Sequence, residues 1–215
     1  RDYYRALRET ETFGLIAVAR LAWMKFESRS LEAVAEEYGR QQDPRYTRLH
    51  LDHVPVIDED QQRVDYRAIL QAAIRAGYDS LMVDGSRLAL AENIAATRAA
   101  VELGHAAGLP VEAELGAVLG HEAGPLPPYE ELFASGRGFT DPEEARRFVA
   151  ESGVDWLSVS IGNIHGAISG AAKSARKVEA RLSIPHLERL QRAIAVPLVL
   201  HGGSGIQKRY ILEGM

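Results

Sequence analysis

The sequence predicts an α/β fold built on a parallel sheet, and three observations predict it. Six short apolar runs are spread along the chain, amphipathic segments of helical periodicity lie between them, and polar residues suited to chemistry end five of the six runs. Alternating strand and helix patterns are the signature of parallel βα units. Both an open doubly wound sheet and a (β/α)8 barrel satisfy the pattern.

Each element has its own justification. The first strand, Phe13 to Ala19, is ambiguous, because the Ala-rich "GLIAVARLAWMKF" also suits a helix. Arg48 to Asp52 follows as a clear apolar run, then an amphipathic segment from Arg63 to Ala76 that Gly77 stops. Ser80 to Asp84 is the third strand, and Ala91 to Ala107 is the next helix, closed by Gly108. Val111 to Leu115 is the fourth strand, and the Gly- and Pro-rich "GHEAGPLPPYEELFASGRGF" reads as a long loop. Thr140 ahead of "DPEEARRF" reads as the N-cap of a helix over Asp141 to Ser152, with Gly153 as its stop. Asp155 to Ile161, a helix from Ile184 to Ala193, and Pro197 to His201 complete the series.

Composition narrows the function. A chain of 215 residues, 46% hydrophobic and 26% charged, suits one globular domain with a sizeable core. Its formal charge of -5 argues against the broad basic face that a nucleic-acid backbone requires. With no cysteine, disulfides and thiolate metal sites are excluded, so a metal would need His, Asp or Glu. No signal peptide or bilayer-length apolar run is visible, and the expectation is a cytoplasmic protein without a membrane partner.

The strand ends carry the chemistry. Asp52 and His53, Asp84 and Ser86, Glu112 and Glu114, Asn163 and His165, and His201 and Ser204 all fall at C-terminal ends, the edge where parallel α/β proteins assemble their sites. Taken singly, a strand-end histidine is more often structural, Asp84 before Gly85 suits a turn, and "GGSG" suits a turn as well as an anion cradle. Their coincidence at one edge favours a ligand or metal that joins them. Three imidazoles without thiolate suit Zn²⁺ or a similar divalent ion, and the glycines beside His165 and His201 would let backbone N–H groups approach a phosphate.

The stretches "LHLDH", "YDSLMVDGSRLALAENIAATRAAVELGHAAGLPVEAELG", "GVDWLSVSIGNIHG" and "PLVLHGGSGI" resemble the class II, metal-dependent ketose-bisphosphate aldolases, the fructose- and tagatose-bisphosphate aldolase family, from about Arg48 to Ile206. The resemblance implies reversible aldol cleavage of fructose or tagatose 1,6-bisphosphate to dihydroxyacetone phosphate and an aldehyde phosphate. It implies His53, His165 and His201 as zinc ligands, with Glu114 at a second or alternative metal position. It makes Asp52 the acid at the aldehyde oxygen and Glu122 the base at the donor carbon. Gly166, Gly202, Gly203 and Ser204 become phosphate-binding positions, accompanied in the family by a monovalent cation, Na⁺ or K⁺. A homodimer or homotetramer is implied too.

The chain departs from the family pattern at several positions. Val54-Pro55 follows the Asp-His pair, Arg87 replaces a histidine, His121 stands where an acid is common, and Ser169 stands where a phosphate-site lysine is expected. Lys173, Arg176 and Lys177 are candidate replacements for that cation. His50 shares the face of Asp52 and could orient the acid or a ligand, whereas His105 and His186 read as surface or capping residues. Six strands cannot close an eight-stranded barrel. The expectation is a single (β/α)8 domain over residues 1–215, incomplete at its first and last strands, truncated or with segments omitted. Rival readings are a metal-dependent barrel enzyme on another sugar or polyol phosphate, and an aldolase-like binding protein without turnover.

Overall fold

A computed structural model describes residues 2–24, 29–116, 128–163, 180–203 and 206–214. The chain divides into two compact units, residues 1–113 and 114–215.

In the first unit, helix α1 (Asp2–Glu9) leads into strand β1 (Gly14–Ala19), and the ambiguous Ala-rich stretch resolves by splitting: the chain turns helical at α2 (Arg20–Met24). Helix α3 (Leu31–Gln41) starts at Ser30, whose side chain accepts from the Ala33 amide. Strand β2 (Thr47–Pro55) is longer than its apolar run. Helix α4 (Tyr66–Ala76) begins three residues later than its periodicity suggests, because Asp65 caps it and Arg63 instead bridges Ile57. Strand β3 (Ser80–Asp84), helix α5 (Leu90–Ala106) and strand β4 (Val111–Leu115) follow, the last two residues of β4 belonging to the second unit. The strands pair in parallel in the order β1, β2, β3, β4.

One face of these strands builds the core. Leu49, Leu51 and Val54 of β2, with Leu81 and Val83 of β3, are 0% exposed against Leu70 and Ala73 of α4. Each such large aliphatic side chain contributes about 1.5–3 kcal/mol by leaving water. The opposite face carries His50 of β2 and Ser80, Met82 and Asp84 of β3.

In the second unit, helix α6 (Tyr129–Ser135) occupies part of the stretch expected as a long loop. Its Tyr129 is fastened by hydrogen bonds: its hydroxyl accepts from the Arg181 amide, and its one proton lies within reach of the Gly162 carbonyl at 3.0 Å and the Arg181 carbonyl at 3.2 Å. Helix α7 (Pro142–Ser152), strand β5 (Trp156–Val159), helix α8 (Ile184–Ala193), strand β6 (Leu198–Val199) and helix α9 (Lys208–Gly214) complete it, with β5 and β6 parallel. Phe148, Leu157, Val159, Ile161 and Leu190 form its core.

Three expectations are corrected here. The N-cap of α7 is Asp141, which accepts from the Glu143 and Glu144 amides, and not Thr140. Thr140 is fully buried instead, its hydroxyl donating to the Leu115 carbonyl and accepting from the Ser160 amide. That bond, with Ile161 N–H donating to Asn163 Oδ1, diverts two amides from the ladder and ends β5 at Val159. His186 is 7% exposed and not a surface cap: its Nε2 lies 2.7 Å from the Thr140 carbonyl and its Nδ1 2.7 Å from Arg189. Among the described residues, no helix is long and apolar enough to cross a membrane.

Candidate functional site

The site residues of the first unit owe their placement to a slip in register. Leu51 pairs with Leu81 and Val54 with Val83, so three steps along β2 meet two along β3. One extra residue in one strand is a β-bulge, which re-aims side chains. His53 lies in it at φ 42°, a left-handed conformation that costs a residue bearing a Cβ about 1–3 kcal/mol.

The bulge changes which way the histidine faces. In an unbroken strand His50 and Asp52 share one face and His53 takes the other. His50 Nδ1 lies 2.8 Å from Ser80 Oγ, while His53 Nδ1 lies 3.4 Å from Asp84 Oδ2. Ser80 and Asp84 are four residues apart on β3 and share a face. Both histidines therefore turn to the polar side of the sheet, which a regular strand would forbid.

Asp84 is built to act on His53. Burial pushes its carboxyl upward, but the hydrogen bond and charge of His53 outweigh that, together with bonds from the Ser86 hydroxyl at 2.6 Å and amide at 3.0 Å; the result is about 2. An ionised carboxylate at Nδ1 puts the imidazole proton there and the lone pair on Nε2, the form a divalent ion requires. Gly85 is compelled by space: a Cβ would stand 2.1 Å from Asn93 Oδ1.

Beneath this edge lies a buried polar layer. His50 Nε2 approaches Glu112 Oε2 to 3.5 Å, and His50, Ser80 and Glu112 are each 2% exposed. The contact crosses over β3, linking β2 to β4. The alternation along β2 places His50 on the face of Asp52 but carries no signal for Glu112, since residues 62 apart are joined only by the sheet. Asp52 is half-buried at the same edge. Arg87, which replaces a family histidine, donates to the backbone carbonyl of Asp58, whose carboxylate lies 3.8 Å from Arg20.

In the second unit, Glu114 is 2% exposed on β4. His201, half-buried, follows β6, and its carbonyl accepts from Asn163 Nδ2 at 3.2 Å. Asn163 also donates to the Val159 carbonyl, so this strand-end residue ties backbone together rather than presenting a free head group. Gly202 has φ 79°, and Gly203 is exposed with no atom within 4 Å of an added Cβ. His121, Glu122, His165, Gly166, Ser169, Lys173, Arg176, Lys177 and Ser204 lie outside the described residues. In the first unit, the imidazole of His53 and the carboxylate of Asp84, without thiolate, are of the types that suit a divalent ion, and a carboxylate at Nδ1 favours the tautomer with its lone pair on Nε2.

Comparisons with known proteins place these residues in context. The family described as fructose-bisphosphate aldolase class-II matches residues 2–215. A fructose-bisphosphate aldolase of Staphylococcus aureus (strain N315) is 33% identical over 167 residues, 78% of this chain and 50% of that protein. A probable fructose-bisphosphate aldolase of Bacillus subtilis (strain 168) is 38% identical over 134 residues, 62% of this chain and 42% of its own. The chain spans about half the length of the curated relatives it matches. Among solved structures, the YdjI aldolase from Escherichia coli K12 superposes with a TM-score of 0.70 at 28% identity, covering 98% of this chain and 64% of that one. The fructose-bisphosphate aldolase of Campylobacter jejuni, at 18% identity, shares the fold with a TM-score of 0.69 over 99% of this chain and 63% of its own.

Proposed function

The chain belongs to the class-II fructose-bisphosphate aldolase family, and on that premise we propose that the protein is a divalent-metal-dependent lyase that reversibly cleaves a ketose bisphosphate, fructose or tagatose 1,6-bisphosphate. The observation that carries this reading is the bulged Asp52–His53 pair, with His53 turned onto Asp84 at 3.4 Å. A regular strand would send these neighbours to opposite faces.

The residues divide the work by chemistry. His53, His165 and His201 would hold the ion, with Glu114 at an alternative position. The ion, zinc in this reading, supplies Lewis-acid polarisation of the substrate's ketone oxygen. Asp84 keeps His53 in its ligating tautomer. Asp52 takes the proton from the departing aldehyde's hydroxyl in cleavage and returns it in condensation, while Glu122 moves the proton at the donor carbon. Gly166, Gly202, Gly203 and Ser204 would offer backbone N–H and hydroxyl donors to phosphate, with a monovalent cation, Na⁺ or K⁺, beside them.

The rest of the proposal follows the family: a (β/α)8 barrel, a homodimer or homotetramer, and a role in cytoplasmic carbohydrate metabolism, glycolysis included. The test is an aldol-cleavage assay on both bisphosphates, with and without chelator. Turnover that chelator and Asp52→Ala each abolish is the expected outcome. Turnover indifferent to chelator, or none on any ketose bisphosphate with metal bound, would refute the reading.

A further inference from the structure

The bulge raises a question the ligand set leaves open. Inserting a residue into β2 takes the His53 amide out of the regular ladder, and a buried N–H must be satisfied elsewhere. Here it donates to the thioether of Met82, with Sδ 3.3 Å from the nitrogen. Met82 is 0% exposed and stands on β3 between Ser80 and Asp84, hence on their face of the sheet.

Strand β3 thereby grips His53 twice: Asp84 takes the ring and Met82 takes the backbone. The second grip matters because the amide position and the left-handed φ of 42° belong together. A strand that regained a regular register would turn the imidazole toward the apolar core. Methionine suits the position for two reasons. Its unbranched chain fills the buried space, and its sulfur is a weak acceptor that no aliphatic residue replaces.

We propose that Met82 is a positioning residue for the metal site, its thioether fixing the His53 backbone so that the ring can ligate a divalent ion. The inference rests on the reading of His53 as a ligand. Leucine at position 82 keeps nearly the same volume and removes the acceptor, whereas glutamine returns an acceptor through its side-chain carbonyl.

The experiment compares the protein with Met82→Leu, Met82→Gln and His53→Ala, reading His53 amide hydrogen exchange by NMR, Zn²⁺ affinity by competition with a chelating dye, and thermal melting. In Met82→Leu the His53 amide should exchange about tenfold faster, the equivalent of one weak hydrogen bond. Zn²⁺ affinity should fall about 10–100-fold, as for other groups that orient a ligand, while melting drops by no more than about 6 °C. Met82→Gln should recover most of both losses. Unchanged exchange in Met82→Leu, or a glutamine variant as impaired as the leucine one, overturns the proposal. Unchanged Zn²⁺ affinity in His53→Ala overturns the ligand assignment instead, and the exchange comparison still decides whether Met82 holds the bulge.

Discussion

Asp84 shows how much one side chain can decide. Its carboxylate, held at about 2, accepts from His53 Nδ1 and orients the ring. Asp84→Asn keeps an acceptor but removes the charge, so Zn²⁺ affinity should drop about 10–100-fold, read by dye competition, with little change in melting. The buried pair below predicts a different pattern. Glu112→Leu removes the carboxylate that faces the buried His50 Nε2 at 3.5 Å and should cost about 1–3 kcal/mol in urea unfolding. His50→Leu combined with Glu112→Leu should restore part of that, because replacing both partners of a buried polar contact by apolar groups can be nearly neutral. Equal losses in the single and double variants would show that the two do not act as a pair.

At the scale of elements, Thr140 and Asp141 are neighbours with separate tasks. Asp141 caps α7 at an exposed end, and Asp141→Ala should cost about 1 kcal/mol. Thr140→Val should cost about 1–3 kcal/mol, because it leaves the buried Ser160 amide without its hydroxyl partner. Chemical denaturation of both variants checks the order; a costlier cap loss would contradict it. The elements themselves were largely legible. Strands β2 to β6 and the helices α4, α5, α7 and α8 follow from periodicity and capping, since these are local properties, whereas β1 is ambiguous in the sequence and α1, α3 and α9 carry no expectation there. The ends of β5, the helix α6 and the burial of His186 were not, because each depends on a partner distant in sequence: Thr140 for the first and third, Gly162 and Arg181 for Tyr129 of the second.

For the whole molecule, the prediction is linkage. If the protein holds a divalent ion when folded and not when unfolded, Zn²⁺ at 100 times its dissociation constant should add about 2.7 kcal/mol of stability, which chelator removes. Melting curves with and without Zn²⁺ check this, and His53→Ala should abolish the increment.

The sequence by itself determined the alternation of strands and helices, the absence of thiolate chemistry and a set of polar strand ends whose series of motifs resembles one aldolase family. These are properties of composition and local pattern. Only the tertiary structure decided that His53 faces Asp84, that His50 reaches Glu112 across β3, and that a methionine sulfur takes the bulged amide. A bulge is a relation between the registers of two strands, so the pattern of one strand, read alone, assigns His53 to the opposite face.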